Sequence, residues 1–316
     1  MNRPDWLREG HPVRGDYRLV VSVSGGKDSV AACLHLQELG YEPGDYDRIF
    51  MDTGWESARS YEYLRQVLPD RIGPITWLRA DVDLPPELES MALAYEDRLG
   101  HYSAMIRRTL KYSSFASRMG RWCTSALKLE PAQRYLRGHD YEVVNVVGIR
   151  GQESPRRALM NEHDFSETLD CAVWRPLIRW TLDDVIAIHQ RHALSPNPLY
   201  FEGSTRVGCW PCIFARKAEI RNTVETDPER VAIIRDLERD VASLKAAKRR
   251  EQGKEPREPP TWFQARIGRV GFWPIDKVAE WSKTGRGGRQ FELFDSRPAD
   301  AGCMRWGMCD LGGRDD

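Results

Sequence analysis

The sequence predicts an α/β protein: a three-layer, doubly wound, mostly parallel sheet with a helical and irregular C-terminal extension. Three observations predict it. Short β-branched runs alternate with helix-like stretches along the first half of the chain, and repeated β-then-α units build a parallel sheet covered on both faces. A glycine pair, Gly25-Gly26, follows the first of those runs directly, so the first strand feeds a tight turn and a helix. After about residue 223 the pattern gives way to a charged helix and then to a Pro-rich polar tract, Glu251 to Pro260, reading EQGKEPREPP. Residues 1–222 are therefore assigned to one domain and 223–316 to a charged helix, a linker and a cysteine-containing extension.

The elements follow in order. Tyr17 to Ser24 (YRLVVSVS) reads as a buried strand, and Ser29 to Leu39 as a helix with Val30, Cys33, Leu34 and Leu36 apolar. Next come a strand at Arg48 to Met51, a helix at Ser57 to Val67 and a strand at Ile75 to Leu78. Helical material from about Glu87 to Ser117 precedes a strand at Val143 to Ile149. The helix Thr181 to His192 has Thr181 as N-cap, Asp183 and Asp184 in its first turn, and Pro196 and Pro198 beyond its end. In the extension, Trp262, Phe272, Trp273, Trp281, Phe291, Phe294 and Trp306 offer apolar surface for packing onto the main domain. Loops at strand ends of such a sheet converge on one edge, where ligands bind, so Ser24 to Ser29, Asp52 to Glu56 and Gly148 to Glu153 are expected to meet.

Composition narrows the partners. The chain has 316 residues, 41% of them hydrophobic, and no apolar run approaches the ~20 residues of a membrane span, so no membrane role is expected. The segment MNRPDWLREGHPVRGDY lacks the apolar centre of a secretory signal, which predicts a cytoplasmic protein. Lys+Arg and Asp+Glu both number 47, and a net charge of zero gives no global support for nucleic-acid binding. Arg107, Arg108 and Lys111, with Lys245, Lys248, Arg249 and Arg250, are the candidate local basic patches, although charge runs on helices are ordinarily solvated faces. Seven cysteines without a secretory signal point to metal or redox chemistry rather than to a disulfide framework.

Ser24-Gly25-Gly26-Lys27-Asp28-Ser29 sits between strand and helix, where backbone N–H groups and a helix N-terminus make an anion site. Gly25 and Gly26 let the main chain approach a phosphate. Ser24 and Ser29 supply hydroxyls and Lys27 a point charge. Asp28 is suited either to cap the helix or to help hold Mg²⁺. The spacing matches neither the Walker A pattern nor the dinucleotide GxGxxG fingerprint.

SGGKDS after a first strand resembles the signature of PP-loop ATP pyrophosphatases, whose fold is of the adenine nucleotide alpha hydrolase type. Further stretches resemble the phosphoadenosine phosphosulfate reductase family. They are Met51-Asp52-Thr53-Gly54, Arg121-Trp122-Cys123 with Lys128 and Pro131, and Gly148-Ile149-Arg150 with Glu153-Ser154 and Arg157. Arg175-Pro176-Leu177 with Trp180, Asn197-Pro198-Leu199-Tyr200 and Gly208-Cys209-Trp210-Pro211-Cys212 complete the series, from about residue 18 to 215. The resemblance implies ATP and Mg²⁺ as ligands, Asp52, Thr53 and Gly54 near the adenosine, and Gly148, Arg150 and Arg157 facing the anionic groups. Lys27, Asp28 and Arg150 are the expected catalytic residues.

Two departures from the reductases stand out. A single Cys123 follows Trp122 where cluster-containing reductases have adjacent cysteines, and no Glu-Cys-Gly-Leu/Ile-His motif is present. The Trp122-Cys123-Thr124 form is instead similar to the reductase-like proteins of DNA phosphorothioation systems and of phage genomes. That likeness implies ATP hydrolysis to AMP and pyrophosphate, coupled to sulfur transfer or thiolation. Adenylyl sulfate or phosphoadenylyl sulfate reduction, and nucleotide binding without turnover, are the alternatives. A four-iron four-sulfur cluster needs four thiolates, which Cys123, Cys209, Cys212 and Cys309 would supply, with Cys303 the alternative fourth ligand and zinc the alternative metal. Cys33 and Cys171 read as core residues. A sulfur donor protein is an implied partner, and the sequence names neither acceptor nor oligomeric state.

Overall fold

The computed structural model describes residues 17–255, 257–264, 266–267 and 270–285, so Cys303 and Cys309 lie outside the described residues. β1 (Tyr17–Ser22), β2 (Tyr46–Asp52), β3 (Thr76–Arg79), β4 (Glu142–Val147), β5 (His163–Ser166) and β6 (Cys171–Trp174) form one sheet in the order β3-β2-β1-β4-β6-β5. Neighbouring strands run parallel except β5, which pairs antiparallel with β6. The fold class expected from the alternating pattern is the one observed.

Both faces of β1 are dry, which is why its sequence is a continuous apolar run rather than an alternating one. Leu19 and Val21 face a layer made by α1 (Lys27–Glu38) and the helix Leu182–Arg191, through Val30, Leu34, Val185 and Ile188. Val20 faces the other layer, with Ala132 and Leu136 of the helix Glu130–Arg137. From β1 the chain steps to β2 and β3 on one side, then returns to β4 on the other. The strand order therefore reverses at β1 and β4, and the crevice outside their carboxyl ends is where sheets of this kind bind ligands.

Several elements differ from the sequence reading. The helix expected at Ser57 to Val67 runs as Ala58–Glu62, a π-helical turn Tyr63–Val67, and Leu68–Ile72. β5 and β6 were not anticipated: each is four residues long, and β5 reads His-Asp-Phe-Ser with no apolar run. The charged helix begins earlier, as Lys217–Thr226, and a second helix, Pro228–Glu251, restarts at an Asp-Pro signal. Asp227 accepts the Arg230 N–H at 3.0 Å, and Pro228 fills the first helical position, where its missing N–H costs nothing.

The candidate basic patch also needs correction. Arg107 is 8% exposed and forms ion pairs with Glu89 at 2.8 Å and Glu96 at 2.7 Å, so it ties two helices together instead of facing solvent. No described helix is long and apolar enough to cross a membrane.

The C-terminal segment docks through Trp262, which is buried with its ring 4.7 Å from Trp55 and 5.7 Å from Phe115. Glu238 on the helix Pro228–Glu251 fastens it: Oε1 accepts the Trp262 N–H at 2.8 Å and Oε2 the Ile275 N–H at 2.9 Å. Burial outweighs those hydrogen bonds and pushes the Glu238 carboxyl up to about 7. A carboxyl raised on folding contributes stability that is complete below its unfolded pKa and is lost as pH rises through the folded one. Glu238→Gln cannot ionise, so urea unfolding from pH 4 to 8 should show the wild type losing about 3 kcal/mol relative to the variant. The loss should centre between the ordinary glutamate value and pH ~7.

Candidate active site

β1 ends in the loop Ser24 to Ser29, which closes on itself. The Ser29 hydroxyl accepts the Ser24 N–H at 3.0 Å and donates to Gly26 O at 2.9 Å, and the Ser24 hydroxyl lies 3.2 Å from it. Gly25 has φ +71°, a backbone conformation costly for any residue with a Cβ. α1 begins at Lys27, and its N-cap Gly26 offers no side-chain cap. Asp28 is therefore free of that task.

Two residues brace the loop from elsewhere in the chain. The Lys27 N–H donates to the Tyr200 hydroxyl at 3.2 Å, and His189 Nε2 lies 3.0 Å from Lys27 O. His189 is fully buried, and burial lowers its pKa. Tyr200 stood in a recognised motif without a role, and His189 carried no signal of its own, because their separation from Lys27 exceeds 160 residues.

Ser24, Gly26, Lys27, Asp28, Ser29, Gly148, Arg150 and Arg157 line one cavity of about 800 Å³ at the switch point. The Asp28 carboxylate joins two of its cations: Oδ1 accepts from Arg150 Nε at 2.5 Å, and Oδ2 lies 3.2 Å from Lys27 Nζ. Arg150 also donates to Gln152 Oε1 at 2.9 Å, and Lys27 to Thr205 O at 3.4 Å. Arg157 pairs with Glu153, and Arg206, which shares the cavity wall, lies 3.7 Å from Glu219. β4 reaches the loop because Gly148 has no side chain: a Cβ there would stand 2.3 Å from Asp28 O and 2.8 Å from the Ser29 Cα.

The Asp52 to Gly54 segment takes a different place. Asp52 Oδ1 accepts the Gly54 N–H at 2.9 Å and the Tyr61 hydroxyl at 2.7 Å. Thr53 is fully buried and donates to Glu56 Oε1 at 2.9 Å. None of Asp52, Thr53 and Gly54 lines the cavity with Lys27 and Arg150. This loop instead carries the cysteine motif: Glu56 and Cys209 form an antiparallel bridge, and the Trp210 N–H donates to Trp55 O at 2.7 Å. Arg230, buried over the Trp55 ring at 4.3 Å, donates to Glu56 O at 3.2 Å.

Cys209, Cys212 and Lys128 line a second cavity of about 200 Å³. Lys128, Arg206 and Val207 line both cavities, so the two adjoin. The Lys128 ammonium sits among Cys209, Glu56, Cys212 and Cys123, and Cys209 is the chief cause of its raised pKa. Burial pushes the Cys209 thiol up to about 12 and raises Cys123 as well. Lys128, which the sequence groups with the Arg121-Trp122-Cys123 stretch without giving it a role, is a functional candidate at this junction.

Among the described residues, no three His, Cys, Asp or Glu side chains are arranged to hold a metal ion. The described thiols therefore do not by themselves form the expected cluster or zinc site, and Cys309 lies outside the described residues. Cys33 and Cys171 are buried in the core, where burial pushes them up to about 12 and about 11.

The family profile for the phosphoadenosine phosphosulfate reductase domain matches residues 86–215. The chain belongs to the phosphoadenosine phosphosulfate reductase family. It is 33% identical to the 37.8 kDa gpa 5′-region protein of Escherichia phage 186, over 87% of this chain and 91% of that one. It is 27% identical to adenosine 5′-phosphosulfate reductase 1 of Bacillus subtilis, over 53% of this chain and 63% of that protein. The phosphoadenylyl-sulfate reductase of Candida auris, solved as a phosphate complex, superposes with a TM-score of 0.44 at 19% identity, over 62% of this chain and 82% of that one. Membership of this family carries nucleotide-binding, sulfur-related chemistry.

Gly148 offers a direct check on how this cavity is built. Gly148→Ala forces a methyl onto the Asp28 main chain and is expected to cost about 1–3 kcal/mol of stability. It should also weaken adenine-nucleotide binding roughly tenfold or more by displacing the loop, as read by urea unfolding and equilibrium dialysis.

Proposed function

We propose that this protein is a PP-loop ATP pyrophosphatase that splits ATP into AMP and pyrophosphate and couples the reaction to sulfur transfer or thiolation. The observation that carries the reading is the joining of the two cavities at Lys128 and Arg206, which puts thiols beside a cationic nucleotide pocket. Mg²⁺ enters with the ATP as part of the substrate. Lys27, Arg150 and the loop N–H groups hold the phosphates while an acceptor oxygen attacks the α-phosphorus and the bond to the bridging oxygen of pyrophosphate breaks. The adenylated acceptor is then open to attack by sulfur, with AMP as the leaving group. Catalysis of this kind rests on positioning and charge neutralisation.

The single Cys123 after Trp122 and the missing Glu-Cys-Gly-Leu/Ile-His motif support this branch over the standard reductases. The chemistry needs a sulfur donor, for which a cytoplasmic donor protein is the proposed partner. A four-iron four-sulfur cluster on Cys123, Cys209, Cys212 and Cys309 is part of the proposal, and no step is assigned to it. A second reading, reduction of a nucleotide sulfate with release of sulfite, is favoured by the adenosine 5′-phosphosulfate reductases among the relatives, although the chain spans less than two thirds of their length.

Anaerobically purified protein is to be assayed with Mg-ATP, adenylyl sulfate and phosphoadenylyl sulfate, alongside iron and acid-labile sulfide. AMP and pyrophosphate from ATP are expected, with the sulfates inert, and Lys27→Ala should slow turnover by about 100-fold. Sulfite release with ATP ignored would replace this reading with the reductase.

A further inference from the structure

A third cavity, of about 640 Å³, lies between the α/β domain and the C-terminal segment. Four rings line it, Phe263, Phe272, Trp273 and Trp281, and each is only half-buried. Phe263, Trp273 and Trp281 rest on a buried apolar floor of Ala215, Ile220 and Val278, which fixes them in place. Met119, 98% exposed, stands at the rim. The chain as a whole is neutral, but among the described residues Arg118 lines this cavity and no Asp or Glu does. Lys277 lies over the Trp273 ring at 5.7 Å and Lys217 over the Trp281 ring at 4.9 Å. Arg118 and Arg121 share the Phe214 ring, at 5.7 Å and 5.8 Å. Asp276, beside Lys277, is engaged by Arg235 at 2.6 Å. Arg118, Arg121 and Lys277 are exposed, and among the described residues none of the three has a carboxylate partner.

We propose that this cavity is a stacking site for an unpaired base of a single-stranded nucleic acid whose phosphates lie along Arg118, Arg121 and Lys277. Half-exposed rings on a firm floor accept a flat partner, and stacking on them tolerates any base because every base has a π face. The unmatched cations call for a partner that carries negative charge. They come from two separate segments, residues 118–121 and the helix Ile275–Ser282, a spread that suits a chain of phosphates better than a single one. A peptide needs hydrogen-bond partners for its backbone. The polar lining is confined to Ser117, Arg118 and Gln264, and Gln264 Nε2 already donates to Phe115 O at 3.2 Å. A duplex keeps its bases stacked on one another, so an unpaired strand is the form that can offer one. Ala215 lines this cavity and the cysteine cavity alike, so a strand held here borders the thiols. None of the residues lining it lines the cavity of Lys27 and Arg150, and the inference stands independently of the ATP reading.

Fluorescence anisotropy of the full chain without ATP tests the proposal, using labelled oligothymidylate and oligouridylate of about 15 nucleotides and a duplex of the same length. At least one of the single strands should bind about tenfold tighter than the duplex, and raising salt from about 50 to about 200 mM should weaken that binding about tenfold. Trp273→Ala and Arg118→Ala should each weaken it about tenfold, whereas Trp273→Phe, which keeps a ring, should retain most of the affinity. Arg250→Ala, which removes a surface cation outside the cavity, should leave it unchanged. Equal affinity for strand and duplex overturns the proposal, as does displacement of the strand by an equal concentration of thymidine monophosphate. Strand binding that a folded Trp273→Ala leaves intact also overturns it, and because Arg118 is exposed, Arg118→Ala decides if the tryptophan variant does not fold. Failure of both single strands to bind the wild type overturns it as well and leaves the ATP reading untouched.

Discussion

The close approach of β4 to the start of α1 is the constraint on which the site depends. Gly148 lies against the main chain of Asp28 and Ser29, at a distance no side chain could occupy. That contact brings Arg150, two residues further on, to the Asp28 carboxylate. It also places the turn after β4 beside the turn after β1, across the point where the strand order reverses. A doubly wound sheet opens a crevice at this point for reasons of topology alone. Here the crevice is walled by cations because both turns end in basic residues.

The second turn of the sheet has a different use. Asp52, Thr53 and Gly54 do not line the cavity of Lys27 and Arg150; Thr53 donates to Glu56, and the Tyr61 hydroxyl lies within hydrogen-bond reach of both Glu56 and Asp52, forming a largely buried polar knot. Such a knot is tolerated in a dry interior because its members satisfy each other. Its outward product is a short β-bridge to Cys209, so the cysteine motif is held by the sheet as if by an extra strand. Arg230 and Trp262 close over Trp55 from the C-terminal side. The extension thereby contributes to the rigidity of the loop that carries the thiols, although it lies far from the phosphate loop in sequence.

Lys128 is where these two halves meet. Its ammonium is surrounded by thiols and Glu56, and its side chain lines both cavities. A charged group so placed couples the electrostatics of the cysteine pocket to those of the cavity lined by Lys27 and Arg150, since a change of charge in either is felt within a few ångströms in a poorly solvated region.

Much of this was written in the sequence. The β-then-α alternation determined the sheet, because strands buried on both faces must be apolar throughout and helices must offer a stripe to cover them. SGGKDS placed a glycine turn between the first strand and the first helix, because glycine and hydroxyl residues at that spacing suit a tight strand-to-helix turn. Sequence missed β5 and β6, where four-residue strands carry too little periodicity to read, and took Arg107 for a surface charge although two glutamates bury it. Tertiary structure alone decided that Asp28 binds Arg150 instead of capping its helix, and that Tyr200 and His189 hold Lys27. It also decided which partners Asp52 and Thr53 take, Tyr61 and Glu56. The reason is physical: local propensity and spacing act over a few residues, whereas a charge or a hydrogen-bond donor takes whichever partner the fold brings within about 3 Å.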